Sequence, residues 1–300
     1  MNPSLAANVG IPLIAEIETL NLWEVLALAI VQGIAEFLPI SSSGHIVVGS
    51  NLLGKTFDIV ELNIVLHAGT LLSILLFYRK EIVRLVTQEW GIIPKIVVGT
   101  LPAVVVGLSL KKLIPWLLED ATLSGFMFLI TGFLLLGLPT IINRQIDDND
   151  DDRSGMANDK GKTARSQLGQ VSWTQAIVVG CFQAAAVLPG ISRSGATIVS
   201  GCIMGLHRQQ AATFSFLLAI PVILGATLLE GMDILEKGPS TSPLFLVAGF
   251  LLSFAVGLGS LALLVRWLGK GQLHLFAYYL IPLGIAVVVW QVLAALGVFS

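Results

Sequence analysis

Two polar breaks rich in glycine and serine interrupt an otherwise oily chain at equivalent places in its two halves. Residues 32–45 read Gln-Gly-Ile-Ala-Glu-Phe-Leu-Pro-Ile-Ser-Ser-Ser-Gly-His, and residues 183–195 read Gln-Ala-Ala-Ala-Val-Leu-Pro-Gly-Ile-Ser-Arg-Ser-Gly. The same 151 residues separate Gln32 from Gln183 and Ser43 from Ser194, about half of a 300-residue chain. Backbone groups that leave a helix inside lipid find no water, so such breaks are tolerated only where protein covers them or where they line a wet cavity. A fold for this chain must therefore enclose both.

The solvent is a bilayer because the composition leaves little alternative. Hydrophobic residues make up 55% of the chain and charged residues 12%, with a mean hydropathy of +0.87, which marks an integral membrane protein rather than a soluble enzyme. A net charge of −2 supplies no basic surface for nucleic acid. Cys181 and Cys202 sit in apolar surroundings and read as small buried hydrophobes, with no disulfide framework or CxxC site. The first basic residue is Lys55, so the amino terminus lacks the positive region of a cleaved signal peptide, and residues 1–20 read as a short surface extension.

A membrane helix needs roughly 20 apolar residues. Stretches of that kind lie near 62–78, 91–110, 121–142, 210–230, 243–266 and 274–298. Around the breaks the apolar pieces are shorter, at 22–38 and 44–54 and again at 172–188 and 194–206. These read as re-entrant hairpins or broken helices. The expected fold is an all-α integral membrane protein built as an inverted-topology repeat, each half one re-entrant helical hairpin plus three transmembrane helices. Repeat one covers about 20–142, a cytoplasmic linker 143–170, and repeat two about 171–298. An odd number of crossings turns the second copy upside down and brings the two breaks face to face.

Lysine and arginine placement sets the orientation, since short cytoplasmic loops carry the positive excess. With the first hairpin entering from outside, Arg79, Lys80, Arg84, Arg144, Arg153, Lys160, Lys162, Arg165, Arg266 and Lys270 fall inside, whereas Lys55, Lys111, Lys112 and Lys237 fall outside. In the linker, Asp147, Asp148, Asp150, Asp151 and Asp152 faintly resemble a calcium loop, but Arg153 stands where an EF-hand needs glycine and the closing glutamate is missing. A solvated linker fits better. Trp23, Trp90, Trp116 and Trp267 suit the interfacial belt.

An intramembrane carboxylate is expensive and marks a site by default, which singles out Glu36, one helical turn after Gln32. Gln32 cannot titrate, so it suits a supporting role. Ser41, Ser42, Ser43 and Gly44 follow the break at Pro39, where a new helix start offers N–H groups and hydroxyls to an anion, although helix capping alone would also explain Ser41 and Ser43. His45 adds an imidazole able to relay protons. Ser192, Arg193, Ser194 and Thr197 repeat the cradle, and a guanidinium between helices needs an anionic partner. That partner is either Glu36, as a structural ion pair, or a phosphate; the surrounding hydroxyls and helix starts favour the phosphate. His67 fits helix packing as well as a site, and His207 and His274 read as interfacial.

Together, the elements Gln32 to Glu36, Pro39-Ile-Ser-Ser-Ser-Gly-His45, Pro189-Gly-Ile-Ser-Arg-Ser-Gly-Ala-Thr197 and Phe214-Ser-Phe-Leu-Leu-Ala-Ile-Pro221 resemble the undecaprenyl-diphosphatase family, the bacitracin-resistance-type membrane phosphatases, over nearly the whole chain. The resemblance implies removal of the terminal phosphate of undecaprenyl diphosphate, which regenerates the lipid carrier for cell-wall synthesis. It implies a site open to the outer, periplasmic face of the bacterial plasma (inner) membrane. It also implies Glu36, Ser42, His45 and Arg193 as the catalytic group, Gln32, Ser41, Ser43, Ser192, Ser194 and Thr197 around the substrate, and a divalent cation, Mg2+ or Ca2+, with Glu36 as its ligand. The first acidic position of the family element is Gln32 here, which puts in doubt any mechanism needing two ionised carboxylates. The expected chemistry is attack of Ser42 on the terminal phosphorus with His45 as base, while Glu36 orients His45 or holds the cation. The rival has Glu36 or His45 activate water. The partners expected are a polyprenyl diphosphate and the membrane, with no nucleic acid and a homodimer left open. The alternative function is a transporter or flippase of a phosphorylated lipid or small anion.

Overall fold

The computed structural model describes residues 21–53, 60–152, 168–237 and 241–297, and among them it holds α-helices joined by turns and short 3-10 segments, with no strand. The proposed surface extension at 1–20, Lys55 and the linker residues 153–167 lie outside the described residues.

Two short helices flank each break. The first pair is α1 (Leu22–Ala35) and α2 (Ser42–Leu53). Helix α3 (Val60–Phe77) follows, then α4 (Arg79–Thr87), α5 (Ile93–Leu113) and α6 (Ala121–Asp152). The second pair is α7 (Trp173–Ala185) and α8 (Arg193–Ile203), followed by α9 (Arg208–Lys237), α10 (Pro243–Gly269) and α11 (Ala277–Ala295). With 11 to 14 residues each, α1, α2, α7 and α8 are too short to cross a bilayer.

The spans expected from hydropathy correspond to long helices. Trp90–Leu113, Ala121–Thr140, Arg208–Leu229, Pro243–Gly269 and Leu273–Ala295 are each long and apolar enough to cross, and Glu61–Phe77 qualifies together with α4, from which it is bent by 68°. Their outer surfaces carry exposed Val105, Phe133 and Leu251, which hydrocarbon rather than water satisfies. Helix α6 continues through Asp152, so the first ten residues of the expected linker are helical. Trp23, Trp90 and Trp116 are exposed as an interfacial belt requires. Trp267 instead packs on Phe276, with ring centroids 4.9 Å apart.

The repeated spacing extends to the helix starts. Asn21 and Glu24 form a reciprocal capping box at the start of α1, and Ser172 and Gln175 form the same box on α7, again 151 residues on. Ser42 and Arg193, which open α2 and α8, keep that spacing too. The packing partners cross between the halves: α1 and α3 lie on α10, α7 lies on α5, α3 meets α9, and α6 meets α11. Phe37, Phe128, Phe214 and Phe216 fill the core beneath the breaks.

Candidate functional site

The two breaks touch. The Gly190 N–H donates to the Ser41 hydroxyl at 3.2 Å, which joins the second turn to the first. Ser41 has φ 69° and Gly190 φ 96°, left-handed conformations that turn the chain sharply from one short helix into the next. The approach is close enough that a Cβ on Gly44 would lie 2.7 Å from the Gly190 Cα. Thr131 of α6 braces the second turn, donating its hydroxyl to the Gly190 carbonyl and accepting from the Ser192 N–H, both at 3.1 Å.

This junction places the ends of four short helices around one carboxylate. Glu36, immediately after α1, is only 8% exposed. Its Oε1 accepts from Arg193 Nη2 in a short ion pair. Its Oε2 accepts from Gln32 Nε2 at 3.0 Å and from the Ser42 hydroxyl at 3.2 Å, and His67 Nε2 stands 3.6 Å away. The other nitrogen fork of Arg193, Nη1, is buried with no hydrogen-bond partner. A cavity of about 230 Å³ opens here, with Glu36, Ser41, Ser42, Ser43, His67 and Arg193 as its polar lining and Val187, Val222, Ile223 and Ala226 among its apolar walls.

The remaining expected site residues stand around this cavity rather than in its lining. Gln32 is fully buried behind Glu36. Ser192 caps α8 by accepting from the Gly195 N–H at 3.1 Å, and its hydroxyl lies 3.2 Å from that of Ser194. Thr197 donates to the Arg193 carbonyl at 2.7 Å, so all three serve the helix that carries the guanidinium. His45 is turned toward α11. Its Nδ1–H donates to the Ser41 carbonyl, which can only accept, and Nε2 accepts from the Tyr279 hydroxyl, both at 2.7 Å. The ring lies between Phe128 and Tyr279. With both imidazole nitrogens engaged, the Ser42 hydroxyl finds Glu36 instead.

Thr131 and Tyr279 join the site from helices whose sequences did not mark them for it, and His67, which the sequence left equally open to helix packing, joins from α3. His67 carried the one available signal, an ionisable ring in an apolar span. No group of three or more His, Cys, Asp or Glu side chains able to hold a metal occurs among the described residues. Among the described residues, Glu36 is the sole carboxylate lining the cavity.

Comparison with known proteins agrees over almost the whole length. Residues 25–286 match the family described as bacitracin resistance protein BacA. The undecaprenyl-diphosphatase of Rhodopirellula baltica is 47% identical over 270 residues, 89% of this chain and 97% of that protein. Undecaprenyl-diphosphatase 4 of Bacillus thuringiensis subsp. konkukian is 36% identical over 274 residues, covering 91% and 98%. The undecaprenyl-diphosphatase of Carboxydothermus hydrogenoformans is 34% identical over 276 residues, with the same coverage.

Proposed function

We propose that this chain, which belongs to the bacitracin resistance protein BacA family, is an undecaprenyl-diphosphatase that removes the terminal phosphate of its lipid and returns undecaprenyl monophosphate to cell-wall synthesis. The observation that carries the mechanism is the state of Arg193, a guanidinium lining a cavity with one fork on Glu36 and the other buried and unsatisfied. Such a donor fits an incoming phosphate oxygen, and the N-termini of α2 and α8 add the positive ends of two helix dipoles.

Phosphoryl transfer asks mainly for positioning and charge neutralisation. Ser42 is the nucleophile. As its Oγ–P bond forms and the bridging P–O bond breaks, its proton passes to Glu36 Oε2, the acceptor it already faces. Arg193 holds the transferring phosphoryl oxygens. Gln32 fixes the carboxylate from behind. His45 and Tyr279 act through the turn at Ser41, where the imidazole ties down the carbonyl that precedes the nucleophile. The departing undecaprenyl monophosphate takes the serine proton from Glu36, and water then attacks the phosphoserine, passing a proton through Glu36 to Ser42 Oγ as the Oγ–P bond breaks and inorganic phosphate leaves.

A divalent cation fits this donor set only in company with the substrate. Glu36 and the neighbouring hydroxyls would hold it, leaving most of its coordination to phosphate oxygens and water, as magnesium sites with few protein carboxylates do. When bound it would neutralise charge on the diphosphate.

The crossed pairing of α1 with α10 and α7 with α5 supports two interlocked, inverted repeats whose hairpins re-enter the membrane. The positive residues around α4 and at the end of α10 support a cytoplasmic location for those segments, so the cavity opens to the periplasmic face of the inner membrane. The test is inorganic phosphate release by the purified, detergent-solubilised protein given a prenyl diphosphate. Stoichiometric release with formation of the monophosphate is expected. Binding or vesicle transport of the lipid without release would replace hydrolysis by transport.

A further inference from the structure

Of the four sequence elements, Phe214 to Pro221 supplies no group to the chemistry above. Phe214 and Phe216 belong to the core, and Ser215 between them is the element's one polar side chain, fully buried on α9. A hydroxyl on an apolar helix ordinarily turns back on a carbonyl of its own helix, as the Thr213 hydroxyl does to the Gln209 carbonyl at 2.9 Å. Ser215 instead crosses to α8, where its Oγ meets Thr197 Oγ1 in a short hydrogen bond.

The direction of that bond follows from the available hydrogens. Thr197 has one hydroxyl hydrogen, and it goes to the Arg193 carbonyl 2.7 Å away, which can only accept. Ser215 is therefore the donor. The result is a chain from Ser215 through Thr197 to the Arg193 carbonyl, with both hydroxyls in a dry interior where each bond polarises the next.

Thr197 ties that carbonyl to its own helix, whereas Ser215 ties it to another. Arg193 opens α8, where intrahelical bonds are fewest, and its guanidinium ends a long side chain with Nη2 on Glu36 and Nη1 unpartnered. At the far end of α8 a Cβ on Gly201 would lie 2.8 Å from the Ala211 Cβ, so the two helices are already pressed together there and run antiparallel. Nearer the arginine the hydroxyl pair makes the join, and beyond it α9 continues to Val222, Ile223 and Ala226 in the cavity wall. We infer that Ser215 is a positioning residue for phosphoryl transfer: through Thr197 it fixes the backbone from which the Arg193 guanidinium reaches the cavity. This rests on the phosphatase reading above and names what seats its arginine. The seat matters most in the transition state, when charge develops on the phosphoryl oxygens and a displaced fork loses more than it does with bound substrate. The effect therefore falls on kcat rather than on KM.

The experiment compares full-length wild type, Ser215→Ala, Thr197→Val and the double variant by phosphate release from a prenyl diphosphate, with melting temperature in detergent measured alongside. Ser215→Ala should lower kcat about tenfold and leave KM within about threefold. Because both hydroxyls act on one carbonyl, the double variant should be no slower than about the slower single variant. Wild-type kcat in Ser215→Ala, whatever happens to KM or to the melting temperature, would overturn the inference and reduce the hydroxyl to packing. Losses that multiply to about 100-fold in the double variant would overturn it as well, since Ser215 would then act by a route other than Thr197. Should Ser215→Ala fail to fold, Ser215→Cys, which leaves only a weak donor in place, decides instead: a kcat lowered about threefold or more is expected, and a wild-type kcat would overturn the inference. Wild-type protein that releases no phosphate would sink the phosphatase reading itself.

Discussion

Glu36 is held from several sides at once: a guanidinium on one oxygen, an amide and a hydroxyl on the other, and an imidazole 3.6 Å away. Removing the hydroxyl in Ser42→Ala should lower phosphate release by about three orders of magnitude without changing thermal stability. Retained turnover in that variant would move the nucleophile to water held by Glu36. Arg193→Lys keeps the charge but loses the fork, and kcat at saturating lipid should fall by about 100-fold or more; turnover near wild type would show that the guanidinium serves Glu36 alone. Glu36, Ser42 and Arg193 were legible in the sequence because polar groups at membrane depth are costly and their neighbours repeat. The direction of His45 was not legible, since it depends on Tyr279, 234 residues away. Nor was the standing of His67, which only the packing of α3 against the breaks reveals.

At the scale of elements, the site depends on two turns locked against each other. An alanine at Gly190 would combine a positive φ with a Cβ 2.3 Å from the Ser124 carbonyl oxygen. Gly190→Ala should therefore cost more than about 2 kcal/mol, seen as a large drop in melting temperature, with activity lost in parallel. Thr131→Val keeps the shape but strips partners from the Gly190 carbonyl and the Ser192 N–H. It should cost about 1–3 kcal/mol and weaken phosphate release through the cap of α8, measurable as a stability loss with a reduced rate. The spans were readable from length and hydropathy, and the short helices from the breaks at Pro39 and Gly190. The 68° bend between α3 and α4 was not, because the basic residues that begin α4 read equally well as a loop. The helical continuation of α6 into an acidic stretch carried no apolar periodicity to announce it.

For the molecule as a whole, orientation can be measured directly. In a background with Cys181 and Cys202 replaced, Lys112→Cys should react with an impermeant maleimide added outside intact cells, and Lys80→Cys only after permeabilisation; the reverse pattern would turn the cavity toward the cytoplasm. The spacing of 151 residues made the two related breaks visible, yet it did not reveal that each half packs chiefly on the other, since pairing partners leave no mark in a single sequence. The bond from Gly190 to Ser41 carries this into biosynthesis. A ribosome that has delivered only the first half has inserted Ser42 and Glu36, the proposed nucleophile and base, without Arg193 or the backbone that buttresses them. Competence arrives late and all at once, so an interrupted polypeptide would be inert toward lipid diphosphates rather than a leaky, half-built hydrolase.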